Sequence, residues 1–496
     1  MKSLNLINIF TVCDEYKGDL DLINKYLSHS SQYSSSFKKM EVDSFVQLCN
    51  FLDVNISDYS IFEGFHINYT IPQISKEFDV LRISEKLAIN IELKTTMTEK
   101  AEEQLKQNKY YLSNINLPKR IFLFVSDEKI LYEYVDEKMI EVNKDTLLAI
   151  LLVDQSKYIQ DLDSVFQVSK FLVSPLNSTE IFLNREYFLT DGQMLVKKSI
   201  MNSISKLVKY MAIDAKAGTG KTLLLYDIAI DLTDRGFKVL LIHCAQLCNG
   251  HKLINDKVEN LKIISAKGAR SFAGFDYYDF ILLDEAHRYY RFQLNQLVIK
   301  TKELKSQLIF CLDDEQRLGK SEIDYHNSIL IKELSGEDVY ALNGKIRTNK
   351  EIAGFIVSLY DLSKSGNSYD YSSIQILFAK DVSKGKQLIQ EYMNKEYQYI
   401  SLTPSVTNFS QLDYLDFGLT SHEAIGQEFD KVVTFINQYF YYDDNLLLYR
   451  TGPNPDHMLT KLLFQNLTRV REKLCIVVIA NKPLFKTIVN VILNYK

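Results

Sequence analysis

Tyr210-Met211-Ala212-Ile213-Asp214-Ala215-Lys216-Ala217-Gly218-Thr219-Gly220-Lys221-Thr222, running on into Leu223-Leu224-Leu225-Tyr226, decides how this chain reads. An apolar strand opens into a glycine-bearing loop, and the loop runs straight into a helical apolar pattern. That is the context a phosphate-binding loop requires. Gly218 and Gly220, with Thr219 between them, let main-chain N–H groups close on phosphate oxygens, and the helix N-terminus adds its dipole. Lys221 would contact the β- and γ-phosphates and Thr222 would ligate Mg²⁺. Ala215 takes the first position of the pattern, where glycine is usual. A second stretch agrees with the first. Asp279-Phe280-Ile281-Leu282-Leu283-Asp284-Glu285-Ala286-His287 is an apolar strand ending in adjacent carboxylates, which are costly there without a cation or substrate. Asp284 suits the Mg²⁺ shell, and Glu285 can polarise an attacking water. ATP and Mg²⁺ are the expected cofactors.

Working outward, 496 residues exceed one core and predict several domains. A content of 46% hydrophobic and 24% charged residues is that of a soluble globular chain. No apolar run reaches the length of a membrane span, so no membrane partner is expected. The opening MKSLNLINIFTVCDEYKGDL lacks a cleavage site and reads as a strand rather than a signal peptide. The six cysteines are scattered, which fits a reducing cytoplasm. His243-Cys244 with Cys248 and His251 lacks the usual zinc spacing. A net charge of −5 means that any nucleic-acid partner needs a local basic groove.

The polar stretch Ser174-Pro175-Leu176-Asn177-Ser178-Thr179 is the best boundary. Before it, strands are expected at 77–83, 88–94, 120–126 and 131–135, with a helix over 98–113. After it, apolar runs at 209–213, 238–243, 279–284 and 307–312 alternate with helical patterns, predicting a parallel sheet covered on both faces. A second series follows, with strands near 373–379, 398–403, 431–436 and 474–480. The expected organisation is an α/β chain of three domains: 1–175, 176–337 and 338–496.

Residues from about 185 to 496 resemble a superfamily 1 helicase motor of the UvrD/Rep lineage, particularly the compact branch that includes Schlafen-type ATPase domains. Leu189-Thr190-Asp191-Gly192-Gln193 resembles the Q motif, implying that Gln193 reads adenine. Cys311-Leu312-Asp313-Asp314-Glu315-Gln316 resembles motif III and offers Gln316 as the γ-phosphate sensor. Lys345-Ile346-Arg347-Thr348 resembles motif IV, with Arg347 as a cationic finger. Thr420-Ser421-His422-Glu423-Ala424-Ile425-Gly426-Gln427-Glu428-Phe429-Asp430 resembles motif V. It implies nucleic-acid contacts from Thr420 and His422 and a nucleotide-side role for Glu428. Asn466-Leu467-Thr468-Arg469-Val470-Arg471 resembles motif VI, making Arg469 the second finger. The resemblance implies two RecA-like parallel-sheet domains. Fingers approaching from the second would couple hydrolysis to interdomain closure. About 60 residues between the loop and Asp284, and about 70 between Arg347 and Thr420, leave no room for the large insertions of processive helicases. Translocation or a nucleic-acid-gated switch stays open beside unwinding.

A nucleic-acid motor turns attention to Ile89-Asn90-Ile91-Glu92-Leu93-Lys94. Glu92 and Lys94 share one face of a strand. If the preceding turn centres on Glu85-Lys86, paired positions sum to 171: Ile83 faces Ala88, and Asp79 faces Glu92. Two carboxylates about 5 Å apart repel by roughly 3 kcal/mol at an effective dielectric of 20, unless a cation bridges them. Residues from about 40 to 170 resemble the PD-(D/E)xK nuclease fold, without the proline of its name. The resemblance implies that Asp79 and Glu92 bind Mg²⁺ or Mn²⁺ and that Lys94 orients water or stabilises the phosphate. Glu63 would be an auxiliary ligand. Gln107-Asn108-Lys109-Tyr110-Tyr111 resembles the QxxxY element of RecB-type nucleases, suggesting that Gln107 and Tyr111 line the site. A solvated hairpin and an inactive nuclease-like domain are the other readings of the same residues. Tyr439-Phe440-Tyr441-Tyr442 could stack bases, but in a chain with 31 Tyr and 28 Phe packing accounts for such a run more simply.

The chain therefore reads as a cytoplasmic metal-dependent nuclease fused to a superfamily 1 ATPase, acting on DNA or RNA, with ATP driving or gating cleavage. Fusions of this kind resemble prokaryotic genome-maintenance and antiviral systems. The alternative is a nucleic-acid-dependent ATPase or translocase whose first domain only binds nucleic acid. A homo-oligomer or a partner protein is compatible with either.

Overall fold

The computed structural model describes the chain apart from residues 1–3, 31–36, 54–58, 72–73, 75, 99–100, 114, 155, 160–161, 167–170, 172, 217, 272–273, 314–317, 319–321, 323, 343–348, 366–368, 406–416, 452–456 and 494–496. It falls into two compact units, Met1–Phe171 and Leu172–Lys496. No described helix is long and apolar enough to cross a membrane.

The first unit opens with three helices, α1 (Leu6–Glu15), α2 (Leu20–Ser30) and α3 (Lys39–Phe51). The expected N-terminal strand is thus a helix. Leu6, Ile9, Phe10 and Cys13 are buried at helical spacing, and the Asn5 side chain caps the Ile7 N–H at 2.9 Å. A six-stranded sheet follows in the order β1-β2-β3-β4-β5-β6. Its strands are β1 (Phe65–Thr70), β2 (Glu77–Ile83), β3 (Ala88–Lys94), β4 (Lys119–Val125), β5 (Ile130–Val135) and β6 (Lys138–Val142). β1, β2 and β3 run antiparallel. Helix α4 (Ala101–Ser113) then carries the chain back so that β4 lies parallel to β3. The β2–β3 register pairs Ile83 with Ala88 and Val80 with Ile91, the sum of 171 expected from the turn.

Strand β3 is buried on both faces, and its period of two separates two jobs. Ile89, Ile91 and Leu93 enter the core shared with Ile9, Phe45 and Leu147. Asn90 and Glu92 point the other way, and both are buried.

The second unit contains two parallel sheets. The first runs β12-β7-β11-β10-β8-β9, from β7 (Tyr210–Ala215), β8 (Val239–His243), β9 (Leu261–Ser265), β10 (Phe280–Asp284), β11 (Gln307–Leu312) and β12 (Val339–Leu342). The second runs β13-β19-β16-β14-β15, from β13 (Ile374–Ala379), β14 (Gln398–Ser401), β15 (Leu419–Thr420), β16 (Phe429–Ile436) and β19 (Val470–Ile479). β17 (Phe440–Tyr442) and β18 (Leu448–Arg450) form a separate antiparallel pair. Because β12 pairs with β7, the first parallel sheet extends past the boundary expected at 337/338. Alternation of strand and helix marks each element but not the sheet that an edge strand joins.

Candidate active sites

The loop leaving β7 is shaped by two left-handed residues, Gly218 at φ +80° and Gly220 at φ +79°. A Cβ on Gly220 would lie 2.1 Å from Gln193 Nε2. Gln193 is buried in a helix spanning Asp191–Ser205, where it forms a capping box with Thr190 and accepts the Thr190 N–H at 2.9 Å. Its amide also donates to the carbonyls of Thr219 at 3.2 Å and Gly220 at 3.4 Å. The same side chain therefore fixes a helix start and the glycine loop. Lys221 and Thr222 begin the next helix, Lys221–Asp234, and both are buried.

Three strands end around Lys221. Its ammonium lies 3.3 Å from Glu285 Oε1 and 3.3 Å from Asp313 Oδ2. Asp284, fully buried at the end of β10, has Oδ2 3.1 Å from His243 Nδ1, while Oδ1 has no hydrogen-bond partner. An orphaned buried carboxylate oxygen beside a phosphate loop fits a Mg²⁺ ligand. Glu285 sits in left-handed backbone, φ +56°. Its other oxygen faces Arg288 Nε at 3.2 Å and His287 Nε2 at 3.5 Å. Burial works against the Glu285 anion, yet Lys221, His287, Arg288 and Arg469 together hold it well below the usual carboxylate range.

Arg469 acts on this cluster electrostatically from the other sheet. It follows the helix Leu459–Leu467, is 3% exposed, and donates to the Gln427 carbonyl at 3.5 Å. Beside it, the Glu428 N–H is held by Asn177 Oδ1 at 2.9 Å. Thr420 is bonded to Glu423 through both its N–H and its hydroxyl, at 2.8 and 2.9 Å. His422 lies 2.8 Å from Thr403 Oγ1, and burial, Arg288 and His457 push its imidazole down to about 3. Gln316 and Arg347 lie outside the described residues. His243 was singled out only as a poor zinc candidate. Its position at the end of the strand beside Asp284 is a pairing that only the sheet order reveals.

In the first unit, the cluster around Glu92 gathers side chains from β2, β3 and α4. Glu92 is 1% exposed and accepts from Lys94 Nζ at 3.0 Å, from Asn108 Nδ2 at 3.0 Å and from Gln104 Nε2. Asn108 also donates to Asn90 Oδ1 at 2.8 Å. Asp79 Oδ2 accepts the Leu93 N–H at 2.7 Å. Burial and the adjacent Glu92 charge push Asp79 well above the usual carboxylate range. The helix face touching Glu92 thus carries Gln104 and Asn108, where Gln107 and Tyr111 were expected. Gln107 is half-buried, while Tyr111 packs against Tyr110 and Phe171 at ring separations of 5.2 and 5.1 Å. Gln104 and Asn108 have the same four-residue spacing, so the spacing was readable but the helix phase was not. Glu63 is bonded to Asn5 at 3.0 Å.

The raised Asp79 carboxyl has a consequence for stability. The folded chain holds this proton above the ordinary value of 3.8, so the stability it confers is lost as pH rises through the raised value. Without divalent cations, Asp79→Asn will therefore stabilise the protein, and by more at alkaline than at acidic pH. Thermal melts in chelator across a pH series check it, and a difference independent of pH would rule it out.

The second unit is, in class, an α/β phosphate-loop assembly whose buried acid cluster receives an arginine from a second parallel sheet. Residues 209–412 match the family model described as Schlafen group 3, DNA/RNA helicase domain. That stretch, which contains Lys221, Asp284 and Glu285, is similar to a helicase domain of that kind. No curated protein matches the chain. Solved structures with partial likeness include the Pif1 helicase from Candida albicans, at 13% identity over 61% of this chain and 99% of that one, TM-score 0.34. Bacteroides sp Pif1 in complex with ADP-AlF4 matches at 12% identity over 62% and 97%, TM-score 0.33. Domain III of the Thermotoga maritima replication initiation protein DnaA matches at 18% identity over 37% and 73%, TM-score 0.24. Likeness this slight carries no functional argument.

Proposed function

We propose that this protein is a cytoplasmic, nucleic-acid-dependent ATPase of the superfamily 1 helicase type whose first unit is a divalent-metal-dependent nuclease, cleaving DNA or RNA under the control of ATP. The observation that carries the ATPase reading is the meeting of Lys221, Glu285 and Arg469, brought from two sheets around one buried anionic group. The loop amides and Lys221 would hold the phosphates, with Lys221 exchanging its carboxylate partners for phosphate oxygens. Thr222 and Asp284 would hold Mg²⁺. Glu285, kept ionised, is suited to accept a proton from the attacking water. Gln193 anchors the loop, and Glu428 is suited to contact the nucleotide from the second sheet.

For the nuclease, Asp79 and Glu92 would hold Mg²⁺ or Mn²⁺. A destabilised carboxylate pair is what a divalent cation relieves, and binding would release the Asp79 proton. A cation at either site supplies positive charge to a reacting phosphate and lowers the pKa of bound water. Lys94, 26% exposed and paired with Glu92, is placed to stabilise the phosphate as charge develops. Gln104 and Asn108 hold the Glu92 carboxylate in one orientation.

One observation favours the rival in which the first unit only binds nucleic acid: both Glu92 oxygens already accept hydrogen bonds from protein groups. A role in antiviral defence rests on the resemblance of the domain fusion alone. The test is a panel of labelled DNA and RNA with Mg²⁺ or Mn²⁺, with and without ATP. Cleavage lost in Asp79→Ala and Glu92→Ala, together with ATP turnover lost in Lys221→Ala, is the expected result. Cleavage that survives both acidic substitutions would overturn the nuclease, and turnover that survives Lys221→Ala would overturn the ATPase site.

A further inference from the structure

The turn at 174–178 lies in the polar stretch expected to be a domain boundary, yet it is built and wedged like a working part. Ser174 Oγ donates to Asn177 Oδ1 at 3.0 Å and receives the Asn177 N–H at 3.3 Å. The Ser178 N–H closes on the Ser174 carbonyl at 2.8 Å. Leu176, 5% exposed, belongs to the core of the first parallel sheet with Phe182 and Ile254.

Two glycines make room for Leu176, one on each side. A Cβ at Gly250, in the first turn of the helix Asn249–Lys257, would lie 2.3 Å from the Leu176 carbonyl oxygen and 2.7 Å from its Cα. A Cβ at Gly426, in the turn before β16, would lie 3.2 Å from Leu176 Cδ1 and 3.1 Å from His243 Cε1, at a φ of +78°. His243 is the hydrogen-bond partner of Asp284. The Gly426 turn of the second sheet therefore rests on both the 174–178 turn and the histidine behind Asp284.

Asn177 completes the link. Its Oδ1 accepts the Glu428 N–H at 2.9 Å and its amide donates to Gln427 Oε1 at 3.4 Å. The Gln427 carbonyl in turn accepts from Arg469 at 3.5 Å. Asn177 also lines two cavities, of about 600 Å³ with Glu428 and Arg471 and of about 390 Å³ with Gly250 and Gln427. It is thus a strut across the junction of the two sheets, one residue removed from the arginine that faces Glu285.

We infer that Asn177 is a positioning residue of the ATPase site, holding the Gly426–Glu428 turn so that Arg469 is directed toward the Lys221–Glu285 cluster. The inference rests on the ATPase reading of that cluster. It acts chiefly through Arg469, so its loss affects turnover more than nucleotide capture, to which Glu428 adds a contact from the second sheet only.

The experiment measures ATP turnover of the full chain, with kcat and KM separated, in Asn177→Ala, Asn177→Asp, Arg469→Ala and the Asn177→Ala/Arg469→Ala pair. Asn177→Ala is expected to lower kcat about 10- to 100-fold, the usual cost of a misplaced reacting group, with KM within about threefold. Asn177→Asp keeps the oxygen that accepts the Glu428 N–H and should stay within about threefold of the unmodified protein. In the Arg469→Ala background, Asn177→Ala should add less than about threefold, because both changes act through the same group. Unchanged kcat in Asn177→Ala, effects that multiply, or a loss that only tracks a lower melting temperature each overturn the inference. Lys221→Ala separates the two levels. If the unmodified protein shows no turnover that Lys221→Ala abolishes, the ATPase reading fails and takes this inference with it. If such turnover exists and ignores Asn177, only the strut fails.

Discussion

Arg469→Ala will lower ATP turnover by about 10³-fold or more, the scale at which an arginine finger acts on phosphoryl transfer, while nucleotide affinity changes by less than about tenfold. The division follows from where each group sits. Capture is assigned to the loop amides and Lys221, which follow the first strand of the first parallel sheet in a loop that Gln193 anchors. Arg469 comes from the second sheet, is 3% exposed, and already acts electrostatically on Glu285. Positive charge from that side matters most when charge shifts on the γ-phosphate, so its loss appears in kcat. Arg469→Lys should not restore the rate, because a compact ammonium lacks the planar fork that reaches two oxygens. Steady-state turnover with and without single-stranded DNA or RNA, alongside binding of a fluorescent ATP analogue, checks both halves. Turnover within tenfold of the unmodified protein would sink the assignment.

On the proposed nuclease reading, Glu92→Gln will lower metal-dependent cleavage by about 10³-fold, since it removes a charge worth several kcal/mol at the cation. It differs in kind from Asp79→Asn. Glu92 accepts from Lys94, Gln104 and Asn108, so an amide there turns an N–H toward donors and costs about 1–3 kcal/mol of stability. Asp79 is the member whose ionisation burial and the Glu92 charge oppose, so its neutral variant gains stability while it too loses cleavage. Opposite stability effects with the same loss of activity identify a metal-binding pair. If both variants lose stability equally, or if Glu92→Gln still cuts, the pair is structural. Melting curves and a gel-based cleavage assay on the same preparations decide between them.

Much of this was legible in the residues. The hairpin sum of 171 holds for the four pairs from Ile83–Ala88 to Val80–Ile91, one step short of Asp79 and Glu92, because the turn fixes the phase. The strand–loop–helix at 210–222 stands where it was expected for a similar reason: glycines that tolerate positive φ and a buried strand leave few alternatives. What misled was phase in the other elements. Gln107 and Tyr111 share a helix and a spacing with Gln104 and Asn108, and only packing of α4 on β3 shows which pair faces Glu92. The N-terminal segment looked extended until Leu6, Ile9, Phe10 and Cys13 were seen to share one buried helical face.

By itself the sequence determined the parts: a glycine loop leading into a helix at Gly218–Thr222, two carboxylates ending a buried strand, and the Asp79/Glu92/Lys94 set on adjacent strands. These are local, carried by spacing along a few residues, and local spacing survives in one dimension. Tertiary structure alone decided which distant groups meet. Arg469 acts on Glu285 from 184 residues away, and Asn177 is bonded to Glu428 across 251. His243 stands behind Asp284 because β8 is the neighbour of β10. The physical reason is that such contacts are set by sheet order and by backbone approaches that only Gly250 and Gly426 permit, and neither leaves a periodic trace in the chain.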